Sequence, residues 1–275
     1  MDGSSLDDVV QLLEEISTGS LSIDKKKVTR RSIASAQPMV TWKAEFPNFL
    51  AELLALEGRG GRREEGCVRC NEAGKDQYRC RVCMGSELLC KECIMHVHES
   101  RPLDIIEKWN GSFFERCTLK SLGYILQIGD CPNGACKQPH QSKLGFVIVD
   151  IDSIQEVALQ YCGCRVTSIA GTSWEQLIRK KLYPATTVEP RTAFTFRMLE
   201  FFHDLMLQGK VSVYDFYHAL ETRTDGAAVQ GVKDCYEAFI CVQRQWRVMT
   251  MCKRGGIGNQ PSTTLSDVVR LIKRL

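Results

Sequence analysis

Apolar positions along the chain change their spacing several times, and each change predicts a different element. Leu6, Val9, Val10, Leu13 and Ile16 recur at three- and four-residue steps, which predicts a short amphipathic helix over residues 1–16, with Ser5 and Asp8 as its capping box. Residues 17–45 carry few large apolar side chains and read as a flexible basic linker. From Phe46 the run FPNFLAELLALEG predicts a helix stopped by Gly58, and residues 46–66 form this helix and a charged, glycine-rich boundary. Residues 67–100 are rich in cysteine. Residues 101–165 alternate short apolar runs with turns, so YILQI (124–128), FVIVDI (146–151) and IQEVALQY (154–161) are expected as strands.

Beyond Trp174 the spacing becomes helical, and residues 173–256 read as a C-terminal helical subdomain. Phe194, Met198, Phe201, Phe202 and Leu205 form one stripe. Val213, Phe216, Tyr217 and Leu220 form a second, capped by Ser212 and Asp215, and Cys235, Phe239, Val242, Trp246 and Met249 form a third. Residues 257–275 are a divergent tail. The fold class expected is α+β: a small cross-braced zinc module, a short β-rich segment, then helices.

Composition narrows the class further. The chain has 275 residues, 44% hydrophobic and 25% charged, which excludes wholesale disorder. A net charge of +3 is too small to predict nucleic-acid binding from bulk electrostatics. The acidic opening MDGSSLDDVVQLLEEISTGS lacks the basic start and apolar block of a secretory signal. FVIVDI, the longest tight apolar stretch, falls well short of the ~18 residues of a membrane span. The 14 cysteines are therefore expected in a reducing compartment, where clustered Cys and His point to metal rather than to disulfides.

Eight candidate ligands, Cys67, Cys70, Cys80, Cys83, Cys90, Cys93, His96 and His98, follow the spacing C-x2-C-x9-C-x2-C-x6-C-x2-C-x2-H-x-H. A two-residue gap turns the chain into a knuckle that aims both sulfurs at one ion, and two knuckles complete a zinc tetrahedron. Eight ligands therefore mean two closed structural zinc sites. A sequential scheme joins Cys67/Cys70 with Cys80/Cys83. A cross-braced scheme joins Cys67/Cys70 with Cys90/Cys93, and Cys80/Cys83 with His96/His98. The gap MGSELL (84–89) resembles the interleaved B-box and ZZ modules and favours the second. Residues i and i+2 point to opposite sides of a helix, so His96 and His98 share an ion only where the chain is extended or looped.

A second group offers a third zinc site. Cys162 and Cys164 flank Gly163, and Cys136 with one of Asp130, Cys131 or His140 completes four ligands. Cys117, Cys235, Cys241 and Cys252 have no partner at metal spacing and are expected as packing residues.

The string from Cys67 through YRCRVCMGSELLCKECIMHVH, PLDIIEKWNGSFFERCTLKSLGYILQIGD and IQEVALQYCGC resembles the CxC-like cysteine cluster domain (second type) associated with fungal KDZ transposases. The resemblance continues through YPATTVEPRTAFTFRMLEFFHDLMLQGKVSVYDFYHALETRTD to QWRVMTMCKRGG, roughly residues 46–256. It implies a nuclear module that helps a transposase engage DNA, with Cys67, Cys70, Cys80, Cys83, Cys90, Cys93, His96, Cys136, Cys162 and Cys164 at metal-type positions. Gly129-Asp130 stands where the family has Gly-His. The closing NQPSTTLSDVVRLIKRL matches neither the Cys-Pro-x-Cys stretch nor the RNase H-like catalytic domain of the family, so a truncated, non-catalytic element is expected.

DNA contact would fall to local basic runs: Lys25, Lys26, Lys27, Arg30 and Arg31; Arg179, Lys180 and Lys181; and Arg244, Arg247 and Arg254. The alternative is a zinc-stabilised protein–protein adaptor, with Trp109, Phe113 and Phe114 or the N-terminal helix as docking or self-association surfaces. No small-molecule substrate is implied. Asp150, Asp152 and Glu156 invite a metal-nuclease reading, but an acidic strand end explains them more simply.

Overall fold

A computed structural model describes residues 37–59, 66–74, 76–85, 87–129, 136–164, 171–226 and 231–256, in two units, Met1–Leu56 and Glu57–Leu275. The expected helix at 1–16, the basic run at 25–31 and the tail at 257–275 lie outside the described residues. The described part of the first unit belongs to a helix, α1 (Pro38–Glu57), whose last residue already falls in the second. It starts at Pro38 rather than at Phe46, because Pro38 takes the favoured first position while Pro47 is carried inside. An interior proline removes one backbone hydrogen bond, at an expense of about 3 kcal/mol. Trp42 and Phe46, one turn apart with rings 5.3 Å from each other, support the helix on the proline's N-terminal side.

The second unit opens with a three-stranded antiparallel sheet of β1 (Tyr78–Cys80), β2 (Ile106–Trp109) and β3 (Phe114–Cys117), with a short helix, α2 (Lys91–Val97), between β1 and β2. Its core is small: Tyr78, Leu89, Ile94, Ile106, Leu119 and Leu122 pack together with Cys67, Cys80 and Cys90. Three cysteines thus occupy positions that a larger domain fills with aliphatic side chains.

Next come β4 (Leu126–Gln127), β5 (Pro139–Gln141), β6 (Phe146–Val149), β7 (Ile154–Val157) and β8 (Leu159–Cys162). They are followed by α3 (Ser173–Arg179), β9 (Leu182–Pro184), β10 (Thr192–Thr195), α4 (Phe196–Gly209), α5 (Val213–Thr224) and α6 (Tyr236–Arg254). Strands β4, β8 and β5 form one sheet in that order, with β4 parallel and β5 antiparallel to β8. A four-stranded sheet runs β7-β6-β10-β9, and its central pair, β6 and β10, is parallel.

That pair is covered on both faces. Side chains alternate along a strand, and Phe146 and Ile148 of β6 enter one core with Ile128, Tyr161, Leu177 and Ala193. Val147 and Val149 enter another with Phe194, Phe202, Phe216 and Phe239. Burial on both sides explains why Phe146–Val149 has no polar break.

Residues 173–256 are consequently not a helical layer of their own. They contribute β9 and β10 to the sheet, and α4–α6 pack on its face. Phe194 belongs to β10, and Thr195 caps α4 by accepting from Met198 N at 3.2 Å. Ser212 caps α5 through Asp215 N at 3.1 Å, at the predicted position. Phe201, Met249 and Cys241, expected inside, are exposed, since only one side of each helix meets the sheet. Asp150 and Asp152 form an ion-paired strand end: Asp150 accepts from Thr195 Oγ1 at 2.6 Å and pairs with Arg197, while Asp152 pairs with Arg197 at 3.1 Å and Arg223 at 2.6 Å.

Phe239 stacks within the shared core and has no exposed surface, whereas Phe201 is 44% exposed. Phe239→Ala is expected to lower unfolding free energy by about 3–5 kcal/mol and Phe201→Ala by less than about 1 kcal/mol, measured by urea denaturation of the zinc-loaded chain.

Candidate metal centres

The first knuckle turns at Asn71, whose left-handed φ of 56° lets its N–H return to Cys67 O at 2.8 Å. The second begins α2, with Cys90 as the N-cap and Cys93 in the first turn. Folding brings Cys67, Cys70, Cys90 and Cys93 together, all four sulfurs within 4.8 Å of one another. Cys70 Sγ and Cys90 Sγ stand 3.8 Å apart. A zinc tetrahedron with Zn–S bonds of ~2.3 Å has edges of about 3.8 Å, so the cage has the size of that ion.

Thiol acidities in this cage are split. Burial opposes ionisation of Cys67, but N–H donors from Cys70, Cys90 and Arg69 outweigh it and bring the pKa down to about 6. Cys93, which shares hydrogen bonds with Cys90, Cys67 and Cys70, is pushed up to about 12. Several thiolates cannot ionise side by side unless a cation compensates them, which is the service a dication provides.

Cys80, Cys83, His98 and Asp104 form the second group. Cys80 closes β1, and the N–H groups of Val82 and Cys83 both donate to its Sγ at 3.3 Å. Burial pushes this thiol up to about 12. His98 caps the C-terminus of α2 and is buried. Its Nε2 lies 3.9 Å from Cys83 Sγ and its Nδ1 lies 3.0 Å from Asp104 Oδ2, which is itself 3.8 Å from Cys80 Sγ. From there the carboxylate can complete a tetrahedron with Cys80, Cys83 and His98. Arg101 Nη2 sits 2.7 Å from Cys83 Sγ and 3.2 Å from Asp104, where it would offset the excess negative charge of two thiolates and a carboxylate around one dication.

The pairing is therefore cross-braced, with one correction. His96 is exposed, 3.4 Å from Glu99, and is not in either group. The helix continues through Val97, so His96 and His98 project differently and only the capping residue turns inward. Asp104 takes the place expected for His96. A single carboxylate six residues past the last histidine carries no spacing signal; only the return of the chain toward β2 brings it to the sulfurs.

The third group is Cys136, Cys162 and Cys164, with Cys136 Sγ 3.5 Å from Cys162 Sγ and 3.6 Å from Cys164 Sγ. Cys164 N donates to Cys162 Sγ at 3.4 Å, so the C-G-C turn presents both sulfurs to one side, as its spacing suggested. Two glycines are sterically required. A methyl group at Gly163 would stand 2.7 Å from Gln138 O, and one at Gly129 would stand 2.2 Å from the Cβ of Cys162. Buried Gln176 on α3 accepts from Cys162 N at 2.8 Å and donates to its O at 3.1 Å, continuing the ladder of β8 through a side chain. His140 is exposed on β5 and outside the group, while Asp130 and Cys131 lie outside the described residues. No helix of the described residues is long and apolar enough to cross a membrane.

The basic candidates are dispersed. Arg179 ends α3, and Lys180 and Lys181 follow it on the rim of a cleft of about 500 Å³ that Arg101, Asp104 and Arg197 also line. Arg244, Arg247 and Arg254 are exposed on α6. At the tip of the β2–β3 hairpin Trp109 packs edge-on against Phe114, with ring centroids 4.9 Å apart, and Phe113 is left exposed.

Residues 119–228 match the family model of the CxC2 like cysteine cluster associated with KDZ transposases. The matched stretch is narrower than the sequence resemblance: it contains the third group and stops short of the first two. No curated protein and no solved structure matches the chain.

Because His98 is buried among the second group and His96 faces solvent, His98→Ala should lower bound zinc by about one ion per chain, with His96→Ala unchanged, as read by native mass spectrometry. Equal losses from both variants would refute this assignment.

Proposed function

We propose that this chain is a zinc-stabilised, non-catalytic module associated with KDZ-type transposition, and that it engages DNA in the nucleus. The observation that carries the reading is the family match over residues 119–228, whose description ties the cysteine cluster to transposases. The metal's role is structural. A segment with a core as small as that around Ile94 and Ile106 needs another source of stability, and coordination supplies it. Four ligands around each of the first two ions leave no open position for water or substrate. The interleaved pairing supports a module of B-box or ZZ type, and the three groups support up to three zinc ions.

Lys180, Lys181, Arg244 and Arg247 are exposed and are the basic residues this reading assigns to phosphate contacts. A second reading, a protein–protein adaptor, is favoured by α1, which buries none of its residues and exposes Phe49, Leu50, Leu53 and Leu54.

With random duplex DNA, the zinc-loaded chain is expected to retard the duplex at ~50 mM salt and to lose it steeply by ~200 mM. Absence of a shift at the lower salt, together with self-association or partner capture through α1, would replace the DNA reading with the adaptor.

A further inference from the structure

The apolar side of α1 is left uncovered by its own chain. Isolated helices are marginal in water, and most helical stability in proteins comes from packing one face against something else. α1 has 20 residues and carries Pro47 in its interior, yet none of its residues is buried. The packing that such a helix needs has to come from outside the chain.

Its apolar side chains have a definite period. Met39, Trp42, Phe46, Phe49, Leu53 and Leu56 follow one another at steps of three, four, three, four and three residues. That alternation averages 3.5 residues, the repeat of the a and d positions in a coiled coil. Met39, Phe49, Leu53 and Leu56 are 49–60% exposed. Trp42 and Phe46 are half-buried, with their rings against each other. Leu50 and Leu54, also exposed, widen the strip along one edge. The opposite side holds Ala44, Asn48, Ala51 and Ala55, so the large apolar residues are confined to one face.

A second copy of this chain meets the requirements of the seam. Knobs-into-holes packing needs a facing helix with the same repeat, and another α1 has it by identity. Six successive a and d positions contain no polar residue, so two seams can close without burying an unpaired polar side chain. A helix of this length spans about 30 Å. Joining two along such seams removes on the order of 700 Å² from each, close to the ~800 Å² per partner of a stable interface. Aromatic side chains contribute much of that area. Glu45 and Glu52 border the seam on one flank and oppose the pairing by like charge. Both are exposed, so salt weakens their repulsion and leaves the apolar contact in place.

We propose that α1 pairs with the α1 of a second copy and holds the protein as a dimer. The proposal rests on the second reading above, that α1 is an interaction surface, and not on DNA engagement. Pairing also presents two copies of every other surface to one ligand, which raises avidity without any new contact.

The test is sedimentation equilibrium of the full zinc-loaded chain. At ~50 µM, above the micromolar limit of interfaces this size, the mass should be twice the 31.1 kDa of one chain. Phe49→Glu/Leu53→Glu sets charge against charge in the seam and should weaken association at least about a hundredfold. Ala44→Glu, on the opposite side, should leave the mass doubled. Raising salt from ~50 mM to ~500 mM should hold or tighten the dimer, the reverse of its effect on DNA binding. Zinc content equal to that of the parent chain shows that the second unit of each variant folds. A doubled mass that survives Phe49→Glu/Leu53→Glu overturns the proposal by moving self-association elsewhere, and an equal loss in Ala44→Glu overturns it by removing the seam's specificity. A chain that stays at the mass of one copy overturns it as well, and amide hydrogen exchange then separates the two ideas. Free exchange over residues 38–57 leaves the interaction reading standing with another protein as occupant, whereas protection means the helix is covered within its own chain and that reading falls too.

Discussion

Mutual repulsion among closely placed thiolates is the constraint on which the N-terminal half of the second unit depends. Cys67, Cys70, Cys90 and Cys93 stand near enough to share one ion, and three of the nine buried residues in their core are cysteines. Such a core is too small to hold the hairpin, the short helix and two knuckles by burial alone. A dication would turn the repulsion into the strongest local attraction available, and the cross-braced grouping would spread it: each group joins chain before β1 or at its end to chain at or after α2. Neither knuckle can open without disturbing the element between them.

The remainder of the unit is held differently. Strands β6 and β10 are buried on both faces, and the two cores they separate draw on nearly every later element. The third sulfur group hangs from this frame rather than supporting it. Cys162 is placed by β8, by the two backbone bonds to Gln176, and by the close approach of Gly129, so its position is set by ordinary packing before any ion arrives. One chain therefore contains a segment whose small core is built around candidate metal ligands and a segment with a substantial hydrophobic core of its own, and chelation should act unequally on the two.

Asp104 and Arg101 connect a metal group to the neighbouring cleft. Asp104 touches the imidazole of His98 and lines the cleft, while Arg101 spans from Cys83 to the same carboxylate. Oxygen is a harder, weaker partner for zinc than thiolate, so the second group differs in chemistry from the first although the two share one small core. Its position beside the lysines after α3 sets a candidate metal group against the cleft.

Much of the candidate site was legible in the sequence because cysteine pairs two residues apart have few other uses, and because a C-G-C turn presents its sulfurs on one side. The strand at 146–149 and the Ser212 cap were legible for a similar reason: local spacing and capping chemistry act within a few residues, whereas the run at 154–161, expected as one strand, divides at Ala158 into β7 and β8, which join different sheets. What the sequence alone left open were matters of direction and return. Whether His96 or His98 turns inward depends on where α2 ends. Asp104 joins the sulfurs only because β2 pairs with β1. Lys180 and Lys181, one basic run among several in the sequence, acquire a cleft only because β4, β6 and the start of α4 close around them. Ligand type and spacing are local properties, and the sequence by itself determined them. Which side chains converge on one ion or one cavity depends on contacts between distant segments, and only the tertiary structure decided that.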